Sequence, residues 1–350
     1  MRKTAVALLS AAALVSLVTL AGPASADPPA GVTPAATDIV GVGSDTTQAL
    51  FNKFSADYTG TPKLYSWDAT GTSPITTKTG ATSLNPRPNG SGAGVTALQN
   101  TTKTTVDFAR SSGGPAAGQL TTDDFIAYAK DAVTWAAQSG GNAPPNLSTA
   151  DLKGIYNCSI TNWNQITDVG GTWVAPNATI KPFLPQNGSG TRSFFMNVLG
   201  LSNADPQPSC VNTTVEENEG SNVLLHDNNA VVPYSVAHYI GQVYGGHGSG
   251  NDVQGPLTVR NIGGTSQTPI IVPVDPTTHV ITSSFATSAY GRSVYNVVRD
   301  ADWTAGDAHA TALKAIFSST GWICKNATAQ ADLKSYGFLP LALCGAITHP

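Results

Sequence analysis

Charge is scarce in this 350-residue chain: Asp, Glu, Lys and Arg together make up 11% of it. Acidic residues outnumber basic ones, 22 to 18, so no basic excess is available to track a nucleic-acid backbone. Beyond the first 26 residues no run is apolar enough to cross a bilayer. The six histidines (His226, His238, His247, His279, His309 and His349) fall at no metal-ligand spacing, and the four cysteines form no CxxC pair. No glycine-rich stretch ends in Gly-Lys-Ser or Gly-Lys-Thr, and Gly41-Val42-Gly43 lacks the third glycine of a dinucleotide fingerprint. No serine has glycine two residues away on both sides, so the nucleophile elbow is missing. No acid–base pair stands out either. The reading is of a protein without catalysis, cofactor or metal.

The N-terminus has a clear pattern. Arg2 and Lys3 precede an apolar run from Ala5 to Leu20, and Ala24-Ser25-Ala26 is a small-residue cleavage site. This reads as a secretory signal peptide over residues 1–26, with Asp27 the first mature residue. No Cys lies near the cut, so no lipid attachment is expected, and the mature chain is expected to be secreted or periplasmic. Removing Arg2 and Lys3 moves the formal charge from −4 to −6. An even cysteine count in an exported chain reads as disulfides. Of the three pairings, Cys158–Cys210 and Cys324–Cys344 are preferred because each keeps to one region of the chain.

Three short loops carry the functional signal: Gly43-Ser44-Asp45-Thr46, Gly90-Ser91-Gly92-Ala93-Gly94 and Gly188-Ser189-Gly190-Thr191-Arg192. Each precedes a segment that reads as a helix. A helix start presents unpaired N–H groups and a positive dipole end, which suits an oxyanion. Glycine lets the backbone come close, and Ser or Thr adds a hydroxyl donor. Arg110 follows a strand, beside Ser111 and Ser112. Arg192 sits in a first helical turn, where a cation opposes the dipole and needs a compensating anion.

The pattern around these loops alternates strand, loop and helix. Residues 38–42 read as a strand, Thr47 to Tyr58 as a helix and 106–109 as a strand. Residues 125–136 read as a strand pair or one long crossing strand. Ser148 caps a helix from Thr149 to Tyr156. Residues 180–184 read as a strand, Ser193 to Leu199 as a helix, 230–234 and 294–298 as strands, and 310–318 as a helix. Residues 241–270 read as a long loop or hairpin. This alternation predicts α/β architecture, with ligands at the carboxyl ends of strands.

Five stretches then match a family: Val42-Gly43-Ser44-Asp45-Thr46-Thr47, Asn89-Gly90-Ser91-Gly92-Ala93-Gly94-Val95, Val106-Asp107-Phe108-Ala109-Arg110-Ser111-Ser112, Ile160-Thr161-Asn162-Trp163-Asn164-Gln165-Ile166 and Asn187-Gly188-Ser189-Gly190-Thr191-Arg192. In order and spacing the chain resembles the PstS-like phosphate-binding receptors of ABC importers. The resemblance implies a two-lobed periplasmic-binding-protein type II clamshell, each lobe a mixed sheet with flanking helices. The expected division is 27–131 plus 235–350 for lobe 1 and 132–234 for lobe 2. It implies that Ser44, Asp45, Thr46, Ser91, Ser111, Ser112, Ser189, Gly190 and Thr191 surround inorganic phosphate or a close oxyanion. Where family members often carry Arg, this chain has Pro185, so Arg192 or Arg110 is expected to supply the charge. Where many carry Asp, it has Ser112, so Asp45 is expected to accept a ligand proton. The expected partners are the anion and an ABC permease, with the receptor a monomer. A secreted phosphatase-like hydrolase and a free scavenging or adhesion protein remain as alternatives.

Overall fold

The computed structural model describes residues 27–29, 31–115, 121–265 and 269–349. The expected signal peptide lies outside the described residues. Apolar residues alternate with small ones in β1 (Ile39–Gly43), whose five residues are all buried. Helix α1 (Gln48–Asp57) follows and buries Leu50, Phe51 and Phe54, the i, i+1, i+4 stripe of an amphipathic helix. Strand β2 (Leu64–Ser66) pairs parallel with β1. Helix α2 (Ser91–Gln99) and β3 (Phe108–Ser111) come next, and β3 also runs parallel to β1. The register sets Gly43 opposite Arg110, so the first loop and the Ser111-Ser112 end emerge side by side.

Residues 123–138 form one long strand, β4 (Asp123–Gln138), rather than a pair. It joins the two halves of the molecule. The second half holds β5 (Asn146–Leu147), α3 (Thr149–Tyr156), β6 (Lys181–Pro185), α4 (Gly190–Val198), β7 (Asn212–Val215), β8 (Ala230–Ser235) and α5 (Val236–Val243). Ser148 and Asp151 form a reciprocal capping box on α3, the hydroxyl taking the Asp151 N–H at 3.1 Å and the carboxylate taking the Ser148 N–H at 3.0 Å. Helix α4 starts at Gly190, three residues before the expected start, because Ser189 caps it by accepting the Arg192 N–H at 3.0 Å.

The chain continues through β9 (Leu257–Val259), β10 (Asn261–Ile262), α6 (Ser283–Ala286) and β11 (Gly291–Arg299). It closes with α7 (Asp300–Thr304), α8 (Ala308–Phe317), α9 (Trp322–Lys325), α10 (Ala327–Ser335), β12 (Leu339–Pro340) and β13 (Ala346–Thr348). The strand order is β2-β1-β3-β11-β4-β8-β6-β7, with β9, β12 and β13 also on β4. Along β4, residues 123–132 pair with β11 and 133–136 with β8, so the sheet changes partner at Ala132 and Val133. One stretch departs from the expected division: β9 pairs with 136–138 of β4, and β10 pairs with β5, so 257–262 packs against the 132–234 half.

The main core runs through both halves, from Phe51, Phe108 and Phe317 to Trp135, Trp163 and Phe195. Disulfides join Cys158 to Cys210 and Cys324 to Cys344, the pairing expected from their spacing. Among the described residues no helix is long and apolar enough to cross a membrane.

Candidate functional site

The three glycine–hydroxyl loops sit at the carboxyl ends of β1, before α2 and after β6, and the fold brings all three into contact. The Gly92 N–H donates to the Gly188 carbonyl at 3.0 Å, tying the second loop to the third. Gly90, at φ +95°, approaches so closely that a Cβ there would lie 2.4 Å from the Gly188 oxygen. A Cβ on Gly190 would meet the Ser112 and Ser91 hydroxyls at 2.3 and 2.4 Å. The Ser112 N–H donates to Ser91 Oγ at 3.0 Å, and the two hydroxyls are 3.1 Å apart. The Thr46 and Thr191 hydroxyls, from the first and third loops, are 3.2 Å apart. No side chain caps α1 or α2, so the first-turn N–H groups of both helices have no side-chain acceptor. A cleft of ≈ 700 Å³ opens from Ser91, Ser189 and Gly190 and is lined by Asn187, Ser193 and Phe194.

The two arginines expected at the ligand turn away from this convergence. Arg110 is fully buried behind the first loop, and its guanidinium donates to the carbonyls of Ser44 (3.0 Å), Gly43 (3.2 Å) and Trp67 (2.8 Å) and to Ser66 Oγ. It supports that loop's backbone from below. Burial pulls its pKa down to about 10. Arg192 turns the other way and donates to Asp205 at 2.6 Å, to the Asn203 side chain at 2.9 Å and to the Pro185 and Asn203 carbonyls. The anion that compensates its place in the first helical turn is therefore Asp205. Ser111 lines the ≈ 700 Å³ cleft, with its hydroxyl donating to the Gly113 carbonyl at 2.7 Å.

The cation at the convergence is Arg292, at the start of β11. Its Nη2 donates to Thr191 Oγ1 at 2.9 Å, and Asp131 holds it at 2.7 Å. Its Nη1 is buried with no partner, as is Ser44 Oγ in the first loop. Asp131 in turn accepts from Ser235 Oγ and the Ala237 N–H at 3.0 Å, at the N-terminus of α5. Glu217, from the loop after β7, accepts from the Thr191 hydroxyl at 2.6 Å and from the Thr46 hydroxyl. Sequence reasoning missed both residues. Arg292 lies two residues ahead of the apolar run that marks its strand, and Glu217 stands in the acidic run Glu216-Glu217-Asn218-Glu219, which reads as a solvated face. The one usable signal was that Arg292 interrupts an otherwise uncharged, strand-forming stretch.

Asp45 points away from Ser91 and Ser112. It accepts from Asn218 Nδ2 at 3.2 Å and lines a separate cavity of ≈ 380 Å³ with His247 and Asp252. Burial, then the Asp252 and Glu217 charges, hold its carboxyl well above the usual range. His238 underlies the first loop, its Nδ1 donating to the Thr46 carbonyl at 3.0 Å and its Nε2 to Asp252 at 2.5 Å. Burial alone would lower it, but Asp252, Asp45 and the Thr46 carbonyl push it up to about 10.

An open mixed sheet divided along one long shared strand, with glycine–hydroxyl loops meeting at the divide, is the architecture of a two-lobed binding protein. The chain belongs to the PBP superfamily, whose domain model matches residues 28–305. No curated protein sequence matches it. Among solved structures it is similar to an ABC-type phosphate transport receptor from Vibrio cholerae (17% identity, TM-score 0.54, 87% of this chain and 100% of that one). It is also similar to a putative phosphate ABC transporter substrate-binding protein with bound phosphate from Clostridium perfringens (13% identity, TM-score 0.58, 87% and 99%). Those two neighbours are named as a transport receptor and a substrate-binding protein.

Proposed function

We propose that the protein captures inorganic phosphate between its two halves and delivers it to an ABC permease. The single observation that carries this reading is the convergence of Thr46, Ser91, Ser112, Ser189 and Thr191 around Gly190, beside a guanidinium with an unpartnered Nη1. A dehydrated tetrahedral anion needs many donors, and hydroxyls with backbone N–H groups supply them without a large opposing charge. The Ser189 hydroxyl accepts from Arg192 N and keeps its own proton to donate. In this reading Arg292 supplies the positive charge in place of Arg110 and Arg192, and the ligand enters through the ≈ 700 Å³ cleft. The names of the structural neighbours support phosphate and an importer as ligand and partner. The Arg2-to-Ala26 pattern supports export, with cleavage after Ala26 and the mature protein in the secreted or periplasmic space.

Calorimetric titration of the mature protein with phosphate, sulfate and molybdate tests the reading. The expected result is saturable phosphate binding with a stoichiometry near one and weaker sulfate binding. Absence of heat with all three anions overturns it.

A further inference from the structure

The chain carries its own anion at the convergence. Glu217 is buried, with its backbone N–H held by Gln186 Oε1 at 2.9 Å. Its Oε1 accepts from two threonine hydroxyls that lie 3.2 Å apart, Thr191 at 2.6 Å and Thr46. Its Oε2 is buried and has no partner, as is Arg292 Nη1. One carboxylate therefore engages two of the donors there and leaves others unused. Its neighbours tie the same segment to the first two loops: Glu216 accepts from Asn89 Nδ2 at 3.0 Å, and Asn218 donates to Asp45 at 3.2 Å.

The surrounding charges add a second argument. Arg292 faces Asp131, and His238 faces Asp252, so each cation is already matched by a carboxylate. Glu217 is a further negative charge in the same buried volume. An oxyanion that took the Thr46 and Thr191 hydroxyls with Glu217 still in place would meet like charge at close range in a low dielectric. The two cannot share the donors.

We propose that Glu217 is the specificity-determining residue of this seat: a built-in carboxylate that an incoming oxyanion must displace from Thr46 and Thr191. This rests on the anion-binding reading above. A tethered group competes at an effective concentration in the millimolar range. A free carboxylate offers the threonines only what Glu217 already offers, so it is excluded. A tetrahedral oxyanion has more acceptor oxygens and also reaches Ser91, Ser189 and Arg292. The competitor weakens every ligand and rejects the wrong class outright.

Titration of the wild type, E217A and E217Q with phosphate and with malonate tests this. E217A is expected to bind phosphate about tenfold tighter or more, and to acquire measurable malonate binding that the wild type lacks. Phosphate affinity unchanged or weaker in E217A overturns the proposal while leaving phosphate capture intact. Phosphate binding absent from wild type and variants alike overturns both. E217Q keeps the size of the side chain and removes its charge, and it serves where E217A fails to fold; its phosphate affinity is expected to rise a few-fold. A phosphate co-crystal of the wild type needs no variant: Glu217 is expected off both threonines, and Glu217 still hydrogen-bonded to them overturns the proposal.

Discussion

Arg192 and Arg292 are both buried arginines beside Thr191, one following it in sequence and the other meeting it in space, yet their surroundings differ. Arg192 has a partner on each of its three guanidinium nitrogens, among Asp205, Asn203 and Pro185. Arg292 is held by Asp131, touches a hydroxyl of the third loop and keeps one buried nitrogen unpartnered. Burial and charge do not make an arginine a ligand-binding residue; uncommitted donors do. Breaking each arginine in turn separates the two cases. Arg292→Ala is expected to have the largest effect, abolishing phosphate binding. It also leaves the buried Asp131 unpaired, which costs about 3–5 kcal/mol of stability. Arg292→Lys keeps the charge but loses the fork, and phosphate affinity is expected to fall about tenfold to a hundredfold with folding retained. Unchanged phosphate affinity in that variant removes Arg292 from the site.

The comparison sharpens at Gly190, where the third loop touches the second. A methyl there meets Ser91 and Ser112 Oγ at 2.4 and 2.3 Å, so the loops must part. Gly190→Ala is expected to weaken phosphate binding about tenfold or more through lost donor geometry, with a change in melting temperature of only a few degrees. A variant with wild-type affinity means that the two serines do not contact the ligand. Arg192→Ala is the converse. It removes a buried guanidinium from a partly exposed partner, Asp205, and is expected to lower stability by about 1–3 kcal/mol. Phosphate affinity is expected to stay within about threefold of wild type, read by calorimetry below the melting temperature. A loss as large as that of Arg292→Lys collapses the distinction between the two arginines.

The parts of this molecule that were legible in its sequence are those set by local physics. β1, α1, α3 and β6 follow from periodicity and caps, and the loops from glycine and hydroxyl clusters, since their chemistry lies in consecutive residues. Helix α5 was hidden because Gly241, Gly245 and Gly246 made its end look like the start of a loop. The charged part of the site was not legible because it is assembled across more than a hundred residues. Arg292 reaches Thr191 only because β11 lies between β3 and β4 in the sheet, a placement that no local pattern encodes. The rule that a cation in a first helical turn needs an anion was sound for Arg192. The anion was a side chain thirteen residues on, not a ligand.

A smaller effect concerns the ground under the first loop. His238 is charged in the fold, held at about 10 by Asp252, Asp45 and the Thr46 carbonyl against the cost of burial. A folded-state value above the unfolded value of roughly 6.5 stabilises the fold fully below that pH, and the contribution is lost as pH rises toward 10. Asp45 acts with the same sign, because its folded value is also raised and the fold favours its protonated form. The melting temperature is therefore expected to fall as pH rises from about 7 to 9, within the window that His238 defines, while the Asp45 contribution starts to be lost above its unfolded value of 3.8. His238→Gln keeps a donor for Asp252 but carries no charge, so it should flatten that slope while lowering stability near pH 6. A wild-type slope retained in His238→Gln assigns the pH dependence to other groups. If the first loop instead depends on the imidazolium to fix the Thr46 carbonyl, phosphate affinity should fall with the same pH profile as the melting temperature. Thr46 would then link the ion pair beneath the loop to the hydroxyl above it.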